Sequence, residues 1–133
     1  MYYYQSVPLY SYPIDYGYFV RQQNAATQII NAFRQEHPNI IQELETAGMD
    51  QEIITYIIWN VIQFTLTNAN QVSGTINIRT NHIFERMLQQ IQWITYLFRA
   101  YRLSTNQMRR VLRTIIRFTL QSVQGMSATP PSM

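Results

Sequence analysis

A chain of 133 residues with a net charge of +3 and no cysteine is long enough for one domain with a real core, and it excludes disulfides and thiolate metal sites. Its two histidines, His37 and His82, have no acid cluster beside them and read as a helix-end and a first-turn surface residue, so no metal site, histidine-based active site or cofactor is expected. Charge is laid down unevenly: residues 1–52 hold two arginines against six acids, a net −4, whereas residues 53–133 hold eight arginines against Glu85 alone, a net +7.

The first segment, "MYYYQSVPLYSYPIDYGY", carries seven tyrosines, Tyr2, Tyr3, Tyr4, Tyr10, Tyr12, Tyr16 and Tyr18, with no helical or strand period. Pro8 and Pro13 block a regular helix. Residues 1–18 are therefore expected to form an extended arm. Tyrosine buries much area while keeping a polar handle, and the segment has no Arg or Lys, so the arm suits contact with other subunits rather than with phosphate.

A first helix is predicted over residues 18–36, with Val20, Ala25, Ala26, Ile29, Ile30 and Phe33 on its buried side. Pro38 opens a short helix, "PNIIQELETAG", which Gly48 ends. Asp50 is placed to cap a third helix, whose run "IITYIIWNVIQFTLTNANQ" contains no charge. The apolar part of that run falls short of the ~20 residues a membrane span needs and is broken by Thr55, Asn60, Gln63 and Thr65, so it reads as a buried central helix. No signal-peptide pattern marks the chain for secretion.

"NQVSGTINIRTN" is a Gly/Ser/Asn-rich break in which "TINIRT" has the composition of a short strand. A fourth helix is predicted over residues 81–103, with Phe84, Met87, Ile91, Ile94, Phe98 and Tyr101 forming a seam at alternating three and four spacing. In the fifth, "QMRRVLRTIIRFTLQ", an apolar stripe of Met108, Val111, Leu112, Ile115, Phe118 and Thr119 runs beside Arg109, Arg110, Arg113 and Arg117, with no acid within the helix. Ser104 and Gln107 have capping-box spacing at its start. Residues 125–133 read as a flexible tail. The fold expected is all-α: a bundle of four to five helices over residues 19–124 behind an extended irregular N-terminal arm.

Like charges four apart destabilise a helix by about 0.2–0.5 kcal/mol per pair, so an arginine row without interleaved glutamates implies an external anion. The guanidinium fork binds phosphate bidentately, and all ten basic residues are arginine. No phosphate loop, catalytic triad or acid pair of useful geometry is present, so neither an enzyme nor a small-molecule substrate is expected. The 24 Asn and Gln outnumber the 10 basic and 7 acidic residues together, a neutral-polar surface that opposes self-association weakly.

A small, cysteine-free helical chain with an irregular N-terminal arm, an uncharged core and arginine-bearing helices resembles the major capsid proteins of filamentous double-stranded DNA viruses of hyperthermophilic archaea, of the rudivirus, lipothrixvirus and tristromavirus type. The resemblance spans the chain in architecture and size and carries no signature motif. It implies a virion component, assembled in the host cytoplasm, that pairs with a like chain or a second related capsid chain, stacks into a helical filament and wraps double-stranded DNA in the A form. It further implies phosphate contacts by Arg109, Arg110, Arg113 and Arg117 in "MRRVLRTIIRF", by Arg99 and Arg102 in "LFRAYR", and by Arg79 and Arg86. The acidic first half departs from it, implying that only part of the chain faces DNA. Two other readings remain open: a small DNA-binding regulator using "LSTNQMRRVLRTIIRF" as a recognition helix, and a structural coat protein without nucleic acid.

Overall fold

The computed structural model describes the backbone of residues 16–128 and the side chains of residues 24–124. Tyr2, Tyr3, Tyr4, Tyr10 and Tyr12 of the expected arm lie outside the described residues, as do the side chains of Tyr16, Tyr18 and Val20 and the tail from residue 129. Six α-helices make up the described chain, in the order α1 (Tyr16–Glu36), α2 (Pro38–Thr46), α3 (Gln51–Asn68), α4 (Ile76–Gln90), α5 (Gln92–Ala100) and α6 (Thr105–Ala128), with a single 3-10 turn (Ala69–Gln71) after α3. The fold is all-α.

Local chemistry sets most helix ends. Pro38 occupies the first turn of α2. At the other end of α2, Gly48 takes φ +107 while Met49 N–H donates to Leu44 O and Gly48 N–H to Glu45 O, the left-handed stop that a Cβ would disfavour. The Asp50 carboxylate accepts from Ile53 N–H at 2.9 Å to start α3, and the Thr75 hydroxyl accepts from Ile78 N–H at 3.2 Å to start α4. At α6 the box closes both ways: Ser104 N–H donates to Gln107 Oε1 (2.9 Å) and Gln107 N–H to Ser104 Oγ (3.1 Å).

The bundle is organised around α3 and α6. α3 buries Ile54, Ile57, Ile58, Val61, Ile62, Thr65 and Asn68, as the uncharged run requires, and packs against α6 and α1. α6 buries the whole predicted stripe together with Ile116 and Leu120, and lies on α3 and α4. Its Thr119 and the Thr65 of α3, both fully buried, return their hydroxyls to the carbonyls four residues back at 2.8 Å, so neither is left without a partner. His37 stacks on Phe33 with ring centroids 4.9 Å apart and meets Phe118 edge-on at 5.5 Å, joining the α1–α2 corner to α6; His82 is exposed. Among the described residues no helix is long and apolar enough to cross a membrane.

Four sequence expectations are corrected. "TINIRT" is no strand: Thr75 caps α4 and Ile76–Arg79 form its first turn, because no other strand offers a ladder among the described residues, while helix formation buries Thr80, Ile83, Phe84 and Met87. The single helix expected over residues 81–103 is two, broken at Ile91 (φ −121, ψ 70), so that the bundle has six helices rather than four or five. The break lets the chain follow α3 along its length: Arg86 reaches Asn68 and Gln71 at one end, and Trp93 meets Tyr56, 5.3 Å between centroids, nearer the other. The first helix starts at Tyr16 rather than 18, taking the last three residues of the expected arm, and α6 runs to Ala128, into the segment expected to be a loose tail.

α5 ends in the same left-handed stop as α2, with Leu103 N–H donating to Phe98 O (3.0 Å) and Arg102 N–H to Arg99 O (2.8 Å), but the residue at positive φ is Arg102 (+62). A side chain there costs about 1–2 kcal/mol, of which glycine's greater unfolded-state entropy returns roughly half. Arg102→Gly is expected to stabilise the fold by about 0.5–1 kcal/mol, read as a rise of a few degrees in the thermal midpoint. An unchanged or lower midpoint would show that the arginine relieves its own strain.

Candidate nucleic-acid interface

The buried stripe of α6 fixes which side of that helix faces outward, and hence where its arginines stand. Arg109, Arg113 and Arg117 follow at i, i+4 and i+8; Arg109 and Arg117 are exposed and Arg113 half-buried. Beneath the first two lies Phe84 of α4, 1% exposed, with the Arg109 Cζ 5.4 Å and the Arg113 Cζ 5.6 Å from its ring centroid. Both cations lie within cation–π range of one ring. Cation–π attraction of about 0.5–1 kcal/mol each at such exposed positions holds them against their mutual repulsion. Among the described residues neither the Arg109 nor the Arg113 guanidinium is in an ion pair, since the one pair there joins Arg110 to Glu43.

Arg110 is different, and here the expectation of a row without acids is corrected. Glu43 of α2 takes both of its terminal nitrogens, at 2.7 and 2.8 Å, and also accepts from Gln107 Nε2 at 3.2 Å. No acid lies on the helix itself, but one arrives from 67 residues away. Among the described side chains this is the one ion pair. The Arg110 guanidinium beside it holds the Glu43 carboxyl below its ordinary value, with Gln107 assisting and partial burial opposing; Glu43 in turn raises Arg110. A depressed folded value contributes stability above the unfolded value, near 4.5, and that contribution is lost as pH falls from there through the lowered one. With Arg110 at 53% side-chain exposure, solvent screening keeps the pair to about 0.5 kcal/mol. Glu43→Gln is therefore expected to lower the urea midpoint slightly at neutral pH, by a difference that shrinks as pH falls below 4.5 and vanishes once Glu43 is protonated in the folded chain too. A constant difference across that window would place the effect in packing instead.

The remaining arginines are divided between two ends of the bundle. Arg79 Nη2 donates to Ala69 O (3.2 Å), closing the end of α3, while its buried Nε has no partner. Arg86 Nη1 donates to Asn68 Oδ1 (3.0 Å) and Gln71 Oε1 (2.9 Å). Both therefore tie α4 to the end of α3. Arg99 and Arg102 are exposed at the α5–α6 corner, close to the α2 end where Gly48 faces the Tyr101 ring. The eight arginines grouped by sequence do not form one cluster: Arg109, Arg113 and Arg117 make the outward row, Arg99 and Arg102 a corner, and Arg79, Arg86 and Arg110 are engaged within the fold.

Phe84 and Glu43 are the members of this site that sequence reading missed as such. In the sequence Phe84 stands only in the apolar seam of residues 81–103 and Glu43 only among the six acids of residues 1–52; nothing local ties either to α6. The acidic side chains Glu45, Asp50 and Glu52 stand exposed around the α2–α3 turn, where Gln51 bridges Arg34 and Glu45, so the charge asymmetry of the sequence persists in three dimensions. Compared with known proteins, the chain matches no family model, no curated protein and no solved structure.

Proposed function

We propose that this chain is the structural subunit of a helical nucleoprotein filament, packaging double-stranded DNA through arginine–phosphate contacts that do not read sequence. The observation that carries the reading is the α6 row, in which Arg109 and Arg113 are held side by side on Phe84 and Arg117 follows one turn on, with no carboxylate among the described side chains paired to any of them. Such a row is electrostatically incomplete until an extended anion lies along it. Phosphate contacts fix position without selecting bases, which suits covering a whole genome.

One feature of α6 disfavours the regulator reading. A recognition helix presents its first turns to base edges. Here the first turn closes on itself through Ser104 and Gln107, and Gln107 and Arg110 are both bound to Glu43, so that end of the helix is committed to α2. A coat protein without nucleic acid leaves the row without a role. The viral setting, with assembly in the host cytoplasm, a like or related partner chain and A-form DNA, belongs to this proposal through the resemblance to filamentous archaeal capsid proteins.

The test is duplex binding as a function of salt and sequence. With three to five arginines on phosphate, log K is expected to fall against log salt with a slope of about −3 to −5, and random duplexes to differ by less than about a hundredfold. A flat salt response, or strong preference for one site, overturns the reading. Electron microscopy of assembled particles should then show filaments that protect their DNA from nuclease.

A further inference from the structure

The α3–α5 face carries the largest exposed aromatic surface among the described residues. Tyr56 is 57% exposed, Trp93 37% and Tyr96 63%, although residues of this size and polarity are mostly covered in a finished structure. Two open grooves flank the Tyr56 ring, one of about 510 Å³ lined by Gln51, Glu52, Thr55, Tyr56 and Trp59, the other of about 450 Å³ lined by Glu52, Ile53, Tyr56, Trp93 and Leu97. Glu52 and Tyr56 belong to both, so they form one bipartite cleft with an aromatic ridge.

We infer that this cleft receives the Pro8–Pro13 segment of a second copy of the chain, an inference that rests on the filament reading and names the surface through which its subunits would be latched. Aromatic-lined grooves take proline-fixed extended segments, because such a segment loses little conformational entropy on docking and offers a side chain to each pocket in turn. "PLYSYP" supplies Pro8, Leu9, Tyr10, Tyr12 and Pro13, spanning about 15 Å in that conformation, with no charged group. At the edge of the cleft the exposed Glu52 carboxylate presents acceptors for a tyrosine hydroxyl.

The rival occupants fit less well. Nucleic acid would bring phosphate against Glu52, and no arginine lines either groove. The same face of another copy would set Glu52 near its own mate. The chain's own segment is too short a tether: Arg34 of α1 donates to Gln51 and Thr55 at the cleft wall, yet Tyr16 stands 18 residues earlier, about 27 Å along the helix. From Tyr16 back to Pro13 the chain covers only about 10 Å.

Because the chain has no cysteine, single replacements report proximity cleanly. Full-length Tyr10→Cys and Tyr96→Cys chains, mixed under assembly conditions and oxidised, are expected to give a mixed disulfide dimer about tenfold more abundantly than Tyr10→Cys mixed with Asn31→Cys on the exposed side of α1, since docking raises the local thiol concentration. Tyr96 is 63% exposed, outside the buried core, so its replacement preserves the fold. Equal yields with Asn31→Cys, Tyr96→Cys dimers alone, or a concentration-independent intrachain bond in the double variant each overturn the inference. The mixture is also assayed for duplex binding: binding without the mixed disulfide sinks the latch and leaves the filament reading standing, whereas the disulfide without binding does the reverse.

Discussion

Replacing Arg113 and Arg117 together with glutamine is expected to lower duplex affinity by about a hundredfold or more and to reduce the salt slope by about 2, while the subunit stays helical. Each arginine–phosphate contact is a charge-assisted hydrogen bond of about 1.5–3 kcal/mol, and each one abolished means nearly one counterion fewer released on binding. Glutamine matches arginine in helix propensity, so α6 itself is not weakened. Arg117 is exposed, and Arg113 gives up only its place over Phe84, about 0.5–1 kcal/mol. Removing two like charges from the row offsets part of that. Circular dichroism and filter binding on the same preparation decide the matter: loss of helix along with affinity would make these arginines structural, and retained affinity would move the anion elsewhere. Arg110→Gln serves as the comparison. Its guanidinium is held by Glu43, so its replacement should affect DNA less and the pH response of stability more.

Phe84→Ala should be the most destabilising single change near the site, about 3–5 kcal/mol in urea denaturation. The ring is 1% exposed and lies where α4 packs on α6, so its removal leaves a cavity as well as losing the transfer energy. Against a total of about 5–15 kcal/mol for a domain, that is enough to leave the chain partly unfolded at physiological temperature. Phe84→Leu separates the two jobs of the residue. It keeps most of the volume, costing about 1–1.5 kcal/mol, but removes the aromatic face on which Arg109 and Arg113 rest. DNA affinity of the folded Phe84→Leu protein should drop several-fold, since the two guanidiniums are no longer held side by side; an unchanged affinity would confine Phe84 to packing.

Much of what is settled within about four residues was legible in the sequence. The Ser104–Gln107 box, the Asp50 cap, Pro38 at the first turn of α2 and the stop at Gly48 are each made by groups adjacent in the chain, so their residue types and spacing specify the geometry. The apolar stripe of α6 and the buried run of α3 could be read for the same reason, since helical periodicity is a local property that burial only ratifies. The all-α class followed from these.

The rest took the assembled bundle. The "TINIRT" stretch has β-branched residues suited to a strand, but a strand exists only by pairing, and the packing of α4 on α6 made a helix of it. The break at Ile91 lies inside an unbroken three-and-four seam with no proline or glycine, and beyond it α5 buries Ile94 and Phe98 and brings Trp93 to Tyr56. Above all, the arginines look equivalent in sequence and are not so in space. Glu43 comes from α2 to take Arg110, Asn68 and Gln71 take Arg86, and the Phe84 ring of α4 lies under Arg109 and Arg113. Coulomb and cation–π attractions act through space over a few ångströms regardless of separation along the chain, so which cations stay available to an outside anion is a property of the folded bundle alone.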